Sequence, residues 1–407
     1  MRILMLTGSL PYPPHQGGAL RSYGLLQGLK QAGHHITLMS FHDGGNDGQY
    51  ISALQQWCDQ VIILTPPARS RTARLRDLLL SGQPDIARRL YSAEFDQRLA
   101  ALVQTHRFDL IQFEGIEIAC YLPSLRRSHP GGARLIYDAF NAEAALQWVI
   151  FDVDRGEPQR WPAAIYSLIQ ARRLAHYERE LCRQADGVIA VSDEDAAILR
   201  PFRPDACVPV VNNGIFVDDY RCAGTQLELG EHALVFTGKM DYRPNVDAVH
   251  WFATEVLPLI HRRLPDVRLY VVGQKPHLRL EPLRRHRQVE ITGWVREVQP
   301  FLCGASLYVA PLRMGSGTRL KLLEAMAAGR TVVATSAAIS GMLPSVRDVL
   351  AVADQPGQMA ETIISLLQDP RRRQTLGEAA QAFVKAHYDW SVIIPRLLAA
   401  YKDMGIG

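Results

Sequence analysis

Short runs of apolar and β-branched residues alternate along the whole chain with longer segments of helical period, the pattern of parallel sheets covered by helices. In the first half this predicts strands near Ile3–Leu6, Ile36–Ser40, Val61–Leu64, Leu110–Phe113, Arg134–Tyr137, Gly187–Val191 and Val208–Val211. Between them lie a helix from about Gly18 to Gln31, with Leu25, Leu26 and Leu29 on its apolar face, and a long one around Ala163–Gln184. Ser192 followed by Asp193, Glu194 and Asp195 has the form of an N-cap with acids in the first turn, so these residues are assigned to helix starting.

After Asn212-Asn213-Gly214 the chain enters a polar stretch, Asp218 to Glu231, with Gly224 and Gly230 and no strong period. It marks a linker. A second series of strands follows at Ala233–Thr237, Leu269–Val272, Val289–Thr292, Leu307–Ala310 and Thr331–Ala334, and the tail from about Gln381 reads as helical to Met404. The expected class is α/β, with two Rossmann-like domains facing a central cleft: residues 1–217, residues 218–384, and a C-terminal helix, 385–407, returning to the first domain. In such sheets ligands bind at the C-terminal ends of the strands.

A length of 407 residues suits two ordinary cores, and 47% hydrophobic with 21% charged residues is globular composition. No apolar run reaches the roughly 20 residues of a membrane span. The first apolar run, Ile3–Leu6, is too short for a signal-peptide core and leads into a Pro/Gly loop. Six cysteines without a C-x-x-C pair argue against a zinc cage or a disulfide framework, which points to a reducing, cytoplasmic compartment. The net charge of +4 is carried mainly by arginine, whose planar fork suits phosphate, but no single basic patch or motif marks a nucleic-acid reader.

The most informative segment runs from Ala310 through Gly315-Ser316-Gly317-Thr318-Arg319-Leu320-Lys321 to Glu324 and Gly329. A strand runs into a glycine-rich turn and then a helix, so free backbone N–H groups and the positive end of the helix dipole meet at one point, an anion site. Gly317, Lys321 and Glu324 follow at four and then three residues along one helix face. A cation beside the turn and a carboxylate one turn further suit a diphosphate followed by a ribose. The alternative is an ordinary strand-turn-helix with an intrahelical Lys321–Glu324 ion pair.

The run Gly315 to Gly329, continuing into Thr331-Val332-Val333-Ala334-Thr335, resembles the donor-site signature of the GT-B glycosyltransferases of family four. The similarity extends over most of the chain: Tyr12-Pro13-Pro14 with Gly17-Gly18, Val211-Asn212-Asn213-Gly214, Phe236-Thr237-Gly238-Lys239 and Ile291-Thr292-Gly293-Trp294-Val295 are matching pieces in matching order. The resemblance implies a retaining transferase that moves a sugar from a UDP- or GDP-linked donor to a saccharide or lipid-linked acceptor, in polysaccharide or glycolipid synthesis, with no separate cofactor.

Carried over residue by residue, the resemblance gives Glu324 the donor ribose and gives Lys239, at a position more often arginine, the diphosphate. Gly17 and Gly18 match the loop that approaches donor phosphate and acceptor, Gly238 belongs to the turn beside Lys239, and Val295 falls where the backbone meets the base. Two departures stand out. Ser316 occupies the position of a glutamate that touches the transferred sugar in the family, and Pro244-Asn245 stands where a lysine is usual. Arg319 and Lys321 are expected to compensate for that lost cation.

Glycosyl transfer builds negative charge on the departing diphosphate, so cations and backbone N–H groups belong there, and Lys239, Arg319, Lys321 and the Gly315–Thr318 turn are suitable in type. No metal is expected. The D-x-D at Asp152-Val153-Asp154 is read as a polar loop far in sequence from the donor motif. On the acceptor side, Glu114, Asp138 and Asn141 follow strands, where loops line a cleft, with capping or solvated-loop roles as the alternative. His15 and His42 also follow early strands and carry no assignment.

Arg69 to Arg76, followed by Asp77 and three leucines, combines a basic cluster with an apolar run. It suits either contact with an anionic membrane surface, and so a peripheral location at the inner membrane face, or a solvated helix with its apolar side in the core. Two other functions share the two-domain plan: a nucleotide-sugar epimerase or hydrolase, and a silent nucleotide-sugar-binding protein.

Overall fold

The structure is a computed structural model that describes all residues except 15–16, 43, 45–46, 129–131, 157–160, 223, 225, 315–318 and 407, and, among the rest, leaves aside the side chains of residues 47, 71, 75, 79 and 153. The chain divides into two compact units, Met1–Asn213 with Ile393–Gly407, and Gly214–Val392. The boundary thus lies at Gly214 rather than at 218, and the tail rejoins the first unit from Ile393 rather than from 385.

Unit 1 contains strands β1 (Arg2–Thr7), β2 (His35–Phe41), β3 (Gln60–Leu64), β4 (Leu110–Glu114), β5 (Arg134–Ala139) and β6 (Gly187–Ala190). They form one parallel sheet in the order β3-β2-β1-β4-β5-β6. Unit 2 contains β7 (Ala233–Thr237), β8 (Arg268–Val272), β9 (Val289–Gly293), β10 (Leu307–Ala310), β11 (Val332–Ala334) and β12 (Ala351–Val352), ordered β12-β11-β10-β7-β8-β9. Counted from its own first strand, the second sheet repeats the order of the first. Each order reverses beside the unit's first strand, between β1 and β4 and between β7 and β10, the switch point at which open α/β sheets bind ligands. β4, β6, β7 and β10 are buried throughout. That is why β6, β7 and β10 read as apolar runs rather than alternating ones, whereas β4 buries Gln112 and Glu114 as well.

The expected strand at Val208–Val211 is absent. Pro209 has no N–H to give a ladder, and the segment keeps a single bridge, Ala190 to Val210. β12 was not anticipated because two residues make no pattern. The helix Gly17–Gln31 buries Leu25, Leu26 and Leu29 as expected, and Ser192 accepts from Asp195 N–H at 3.1 Å to cap the helix Asp193–Leu199. The tail is two helices, Pro370–His387 and Trp390–Asp403, rather than one.

The stretch expected as a linker is instead packed onto unit 2. Val217–Tyr220 forms a 3-10 turn with Val217 and Tyr220 buried, Leu229 enters the core, and Cys222 is bonded to Cys303, 81 residues away. The expectation against a disulfide framework did not foresee this bond. Spacing along the chain carries no information about a pair joined through the fold. Asp152 and Asp154 lie in the helix Glu143–Arg155 rather than in a loop, with Asp152 paired to Arg155 at 2.9 Å.

Candidate active site

The C-terminal ends of β7 and β10 carry the residues singled out in the second half of the chain. β7 ends at Thr237, and Gly238 follows with φ 154°, its N–H bonded to the carbonyl of Val272 at 3.0 Å. Gly273, after β8, lies so close that a Cβ there would stand 1.7 Å from the Gly238 oxygen. Glycine at both positions lets the two backbones touch. A Cβ at Gly238 would also meet Asn245 Nδ2 and Lys321 Nζ, each at 2.7 Å, so this turn sets the space around the lysine.

The helix Arg243–Trp251 begins with proline in its first turn. Its Asn245 donates to the carbonyl of Lys239 at 2.9 Å and accepts from Lys321 Nζ at 2.6 Å. Lys321 comes from the facing helix, Leu320–Ala327, and its ammonium also lies 4.6 Å from the centroid of the Phe236 ring. One turn on, Glu324 accepts from the hydroxyl of Tyr220 at 3.0 Å. The intrahelical Lys321–Glu324 pair of the alternative reading is therefore not formed. Each group has a separate partner from another segment.

Lys321 and Glu324 are half-buried side chains with enclosed ends. Burial holds the Lys321 amine down to about 7, Arg319 adds to the effect and Glu324 opposes it. Burial raises Glu324, against the Tyr220 hydrogen bond and the charge of Lys321. Arg319 is the residue before the first turn of this helix, and burial depresses it too. Lys239 stays more open, 3.5 Å from Asp241. Arg313, beyond β10, grips Asp247 through two hydrogen bonds of 2.6 and 2.9 Å, which ties the start of the glycine-rich segment to the helix Arg243–Trp251. Val295 packs against the core beside exposed Trp294. Gly315, Ser316, Gly317 and Thr318 lie outside the described residues.

The first-half candidates have different surroundings. Gly17 opens the helix Gly17–Gln31, and Gly18 faces Phe140, whose ring would stand 2.9 Å from an added Cβ. Glu114 and Asp138 end up below the surface, 3% and 0% exposed, rather than on an acceptor-facing loop. Asp138 takes both ends of buried Arg21, at 2.8 and 2.9 Å, and Arg21 also donates to the carbonyl of Val211 at 2.9 Å. Ser22 and Gln112 donate to Glu114 at 2.8 and 2.6 Å. Burial and the charge of Asp138 push Glu114 up to about 8, so it holds its proton at neutral pH, and burial raises Asp138 too, against the charge and hydrogen bonds of Arg21. These two carboxylates hold the end of the sheet together. Asn141 donates to Glu143 at 3.1 Å, and Glu178 accepts from Glu143 N–H at 2.8 Å at the head of the helix Glu143–Arg155. Among the described residues no group of three His, Cys, Asp or Glu is arranged to hold a metal.

The sequence reading missed three partners. Tyr220 lay in the presumed linker, Asn245 counted only as a missing lysine, and Arg21 was lost within an amphipathic helix. A cation four residues before Leu25, on its buried face, was the available signal for Arg21.

Residues 16–219 match the family described as Glycosyltransferase Family 4, and residues 231–369 match Glycosyl transferases group 1. The chain belongs to glycosyltransferase family 4. A phosphatidyl-myo-inositol mannosyltransferase of Propionibacterium freudenreichii is 29% identical over 225 residues, 54% of this chain and 57% of that relative, so the match spans little more than half of its length. Among solved structures, sucrose-phosphate synthase from Thermosynechococcus elongatus aligns with a TM-score of 0.72 at 16% identity, covering 100% of this chain and 99% of the other. Anabaena Alr3699/HepE in complex with UDP and glucose aligns with a TM-score of 0.65 at 16% identity, covering 99% of each chain. At such identity the likeness establishes the fold, which for this family 4 chain is a pair of Rossmann-like domains of the GT-B class.

Proposed function

We propose that this family 4 chain is a retaining glycosyltransferase that moves a hexose from a UDP- or GDP-linked donor to a saccharide or lipid-linked acceptor, in polysaccharide or glycolipid assembly. The observation that carries this is the pairing in unit 2: the Lys321 ammonium rests on a neutral amide, and one turn away Glu324 is held by Tyr220. As the bond from the anomeric carbon to phosphate loosens, charge grows on the departing diphosphate, and Lys321, with Lys239 and Arg319, stabilises it. Glu324 accepts from the ribose hydroxyls. The chemistry needs no divalent metal, because the cations are part of the chain. The mannosyltransferase relative and the UDP and glucose bound by the Anabaena protein support a nucleotide-sugar donor.

A lipid-linked acceptor would bring the protein to a membrane surface without spanning it. Among the described residues no helix is long and apolar enough to cross one. The Arg69–Arg76 segment is less free for this than its sequence suggested, since Arg69 pairs with Asp77 at 2.9 Å and with Asp85 at 2.7 Å, and Arg74 and Arg76 lie near the same two carboxylates. Exposed Trp161 and Ile165, at 60% and 62%, offer the stronger apolar contact.

The test is thermal unfolding of the full chain with a panel of UDP- and GDP-sugars, followed by transfer assays with the stabilising donor. A ligand at 100 times its Kd adds about 2.7 kcal/mol. Release of nucleotide that depends on acceptor, with a new glycosidic product of unchanged anomeric configuration, is the expected result. An altered sugar without acceptor would mean an epimerase or hydrolase, and binding without turnover a silent binder.

A further inference from the structure

Among the described residues, the Lys321 ammonium makes no ion pair with a carboxylate. Its hydrogen-bond partner is Asn245 Oδ1 at 2.6 Å, and its other neighbour is the face of Phe236. Asn245 is 4% exposed, and its second bond, from Nδ2 to the Lys239 carbonyl at 2.9 Å, determines which end of the amide meets the lysine. Among the described residues, the charges around the amine come from its own helix and from the elements packed against it. Arg319 and Glu324 lie on its own helix and oppose each other, with Glu324 bonded to Tyr220. After β7, Lys239 lies near Asp241. On the helix Arg243–Trp251, Asp247 is taken by Arg313, and from β10 the Tyr308 hydroxyl bonds Thr237.

An amide orients an ammonium without cancelling it, whereas a carboxylate at the same distance would neutralise the charge. We infer that Asn245 is a positioning residue, which holds the Lys321 ammonium beside the Gly238 turn with its charge uncompensated so that it meets the diphosphate of the donor. This rests on the donor-site reading above. Two consequences follow from the arrangement. Burial keeps the amine near 7, so a bound diphosphate draws a proton onto it, and donor affinity in the parent protein declines as pH rises above that value. The ammonium's place, rather than the helix that supplies it, is what matters, so a lysine at 245 can replace the one at 321.

The experiment is calorimetric titration of UDP, and separately of GDP, into the full chain between about pH 6 and pH 9. The proteins are the parent, Asn245→Ala, Asn245→Asp, Lys321→Met and the double variant Asn245→Lys/Lys321→Met. Asn245→Asp should weaken binding at neutral pH by about tenfold or more and move the alkaline decline to higher pH, because a carboxylate now pairs with the amine. Asn245→Ala should lower kcat more than it raises KM, and the double variant should recover most of what Lys321→Met loses. Folded Asn245 variants with the parent's affinity and pH profile, beside a Lys321→Met that binds poorly, would overturn the positioning role alone. A Lys321→Met that binds both nucleotides like the parent would overturn the donor-site reading itself. If the single Asn245 variants do not fold, the double variant decides, and one no tighter than Lys321→Met refutes the inference.

Discussion

The hydroxyl of Tyr220 donates to Glu324 Oε1 across 3.0 Å, although 104 residues separate them in the chain. The bond aims the carboxylate and favours its charged form, against the burial that raises it. Tyr220→Phe keeps the ring and loses the donor, so nucleotide affinity should fall by about 1 kcal/mol, and the acid pH at which binding fades should move upward. Glu324→Gln should cost about 1–3 kcal/mol. Titration with UDP and GDP measures both, and parental affinity in both variants would remove Glu324 from the ribose.

The protonated Glu114 makes stability depend on pH. Burial and Asp138 push it up to about 8, whereas an unfolded glutamate titrates near about 4.3, so between those values the folded protein holds a proton that the unfolded chain releases. Its contribution is present below the lower value and is lost as pH rises through the upper one. Glu114→Gln should therefore gain stability relative to the parent on going from about pH 5 to pH 8, by no more than about 1.4 kcal/mol per unit. Denaturant titrations at both ends check it, and a difference that stays flat contradicts it. Asp138→Asn should lose about 3–5 kcal/mol at neutral pH by leaving Arg21 buried without its carboxylate.

Transfer should survive EDTA nearly intact, because Lys239, Arg319 and Lys321 are in the chain whether or not a metal is added. Loss of activity in chelator, restored by magnesium or manganese but not by other salts, would direct attention to Asp152 and Asp154.

The Cys222–Cys303 bond closes a long loop, and cross-links of this kind typically stabilise by about 2–4 kcal/mol. Cys222 follows Tyr220 by two positions, so reduction should lower the unfolding midpoint and weaken UDP binding together. The double serine variant should match the reduced protein and ignore dithiothreitol. A midpoint unmoved by reduction would mean that the thiols are already free in solution.

Vesicle sedimentation separates the two candidate membrane contacts. Replacing Trp161 and Ile165 by serine should reduce binding to anionic vesicles more than replacing Arg71, Arg74 and Arg76 by glutamine, since Arg74 and Arg76 lie beside Asp85 and Asp77. The opposite ranking would return the contact to the basic segment.

Most of the sheet architecture was legible because parallel strands buried on both faces announce themselves as apolar runs, as Ile3–Leu6 and Ala233–Thr237 do. The failures have local causes. Pro209 removed a ladder donor where Val208–Val211 looked apolar enough, and β12 is too short to show a period. In the candidate site, Lys321 and Glu324 were visible because they share one helix. Their partners were not, because Tyr220 and Asn245 arrive from other segments, and nothing in a run of residues states which side chains the fold will bring together. The same holds for Cys222 and Cys303, and for the burial of Glu114 and Asp138.

The repeated strand order invites a comparison of the two crevices as electrical circuits. In both units the helix after the first strand sends a side chain to the switch point, Arg21 in one and Asn245 in the other. In unit 1 the circuit is closed internally, since Arg21 finds Asp138 and Glu114 keeps its proton. In unit 2 the cation arrives from the opposite strand's helix and meets an uncharged amide. One scaffold therefore supplies a self-neutralised end that fastens the sheet and an end where, among the described residues, the cation hydrogen-bonds to an amide and to no carboxylate.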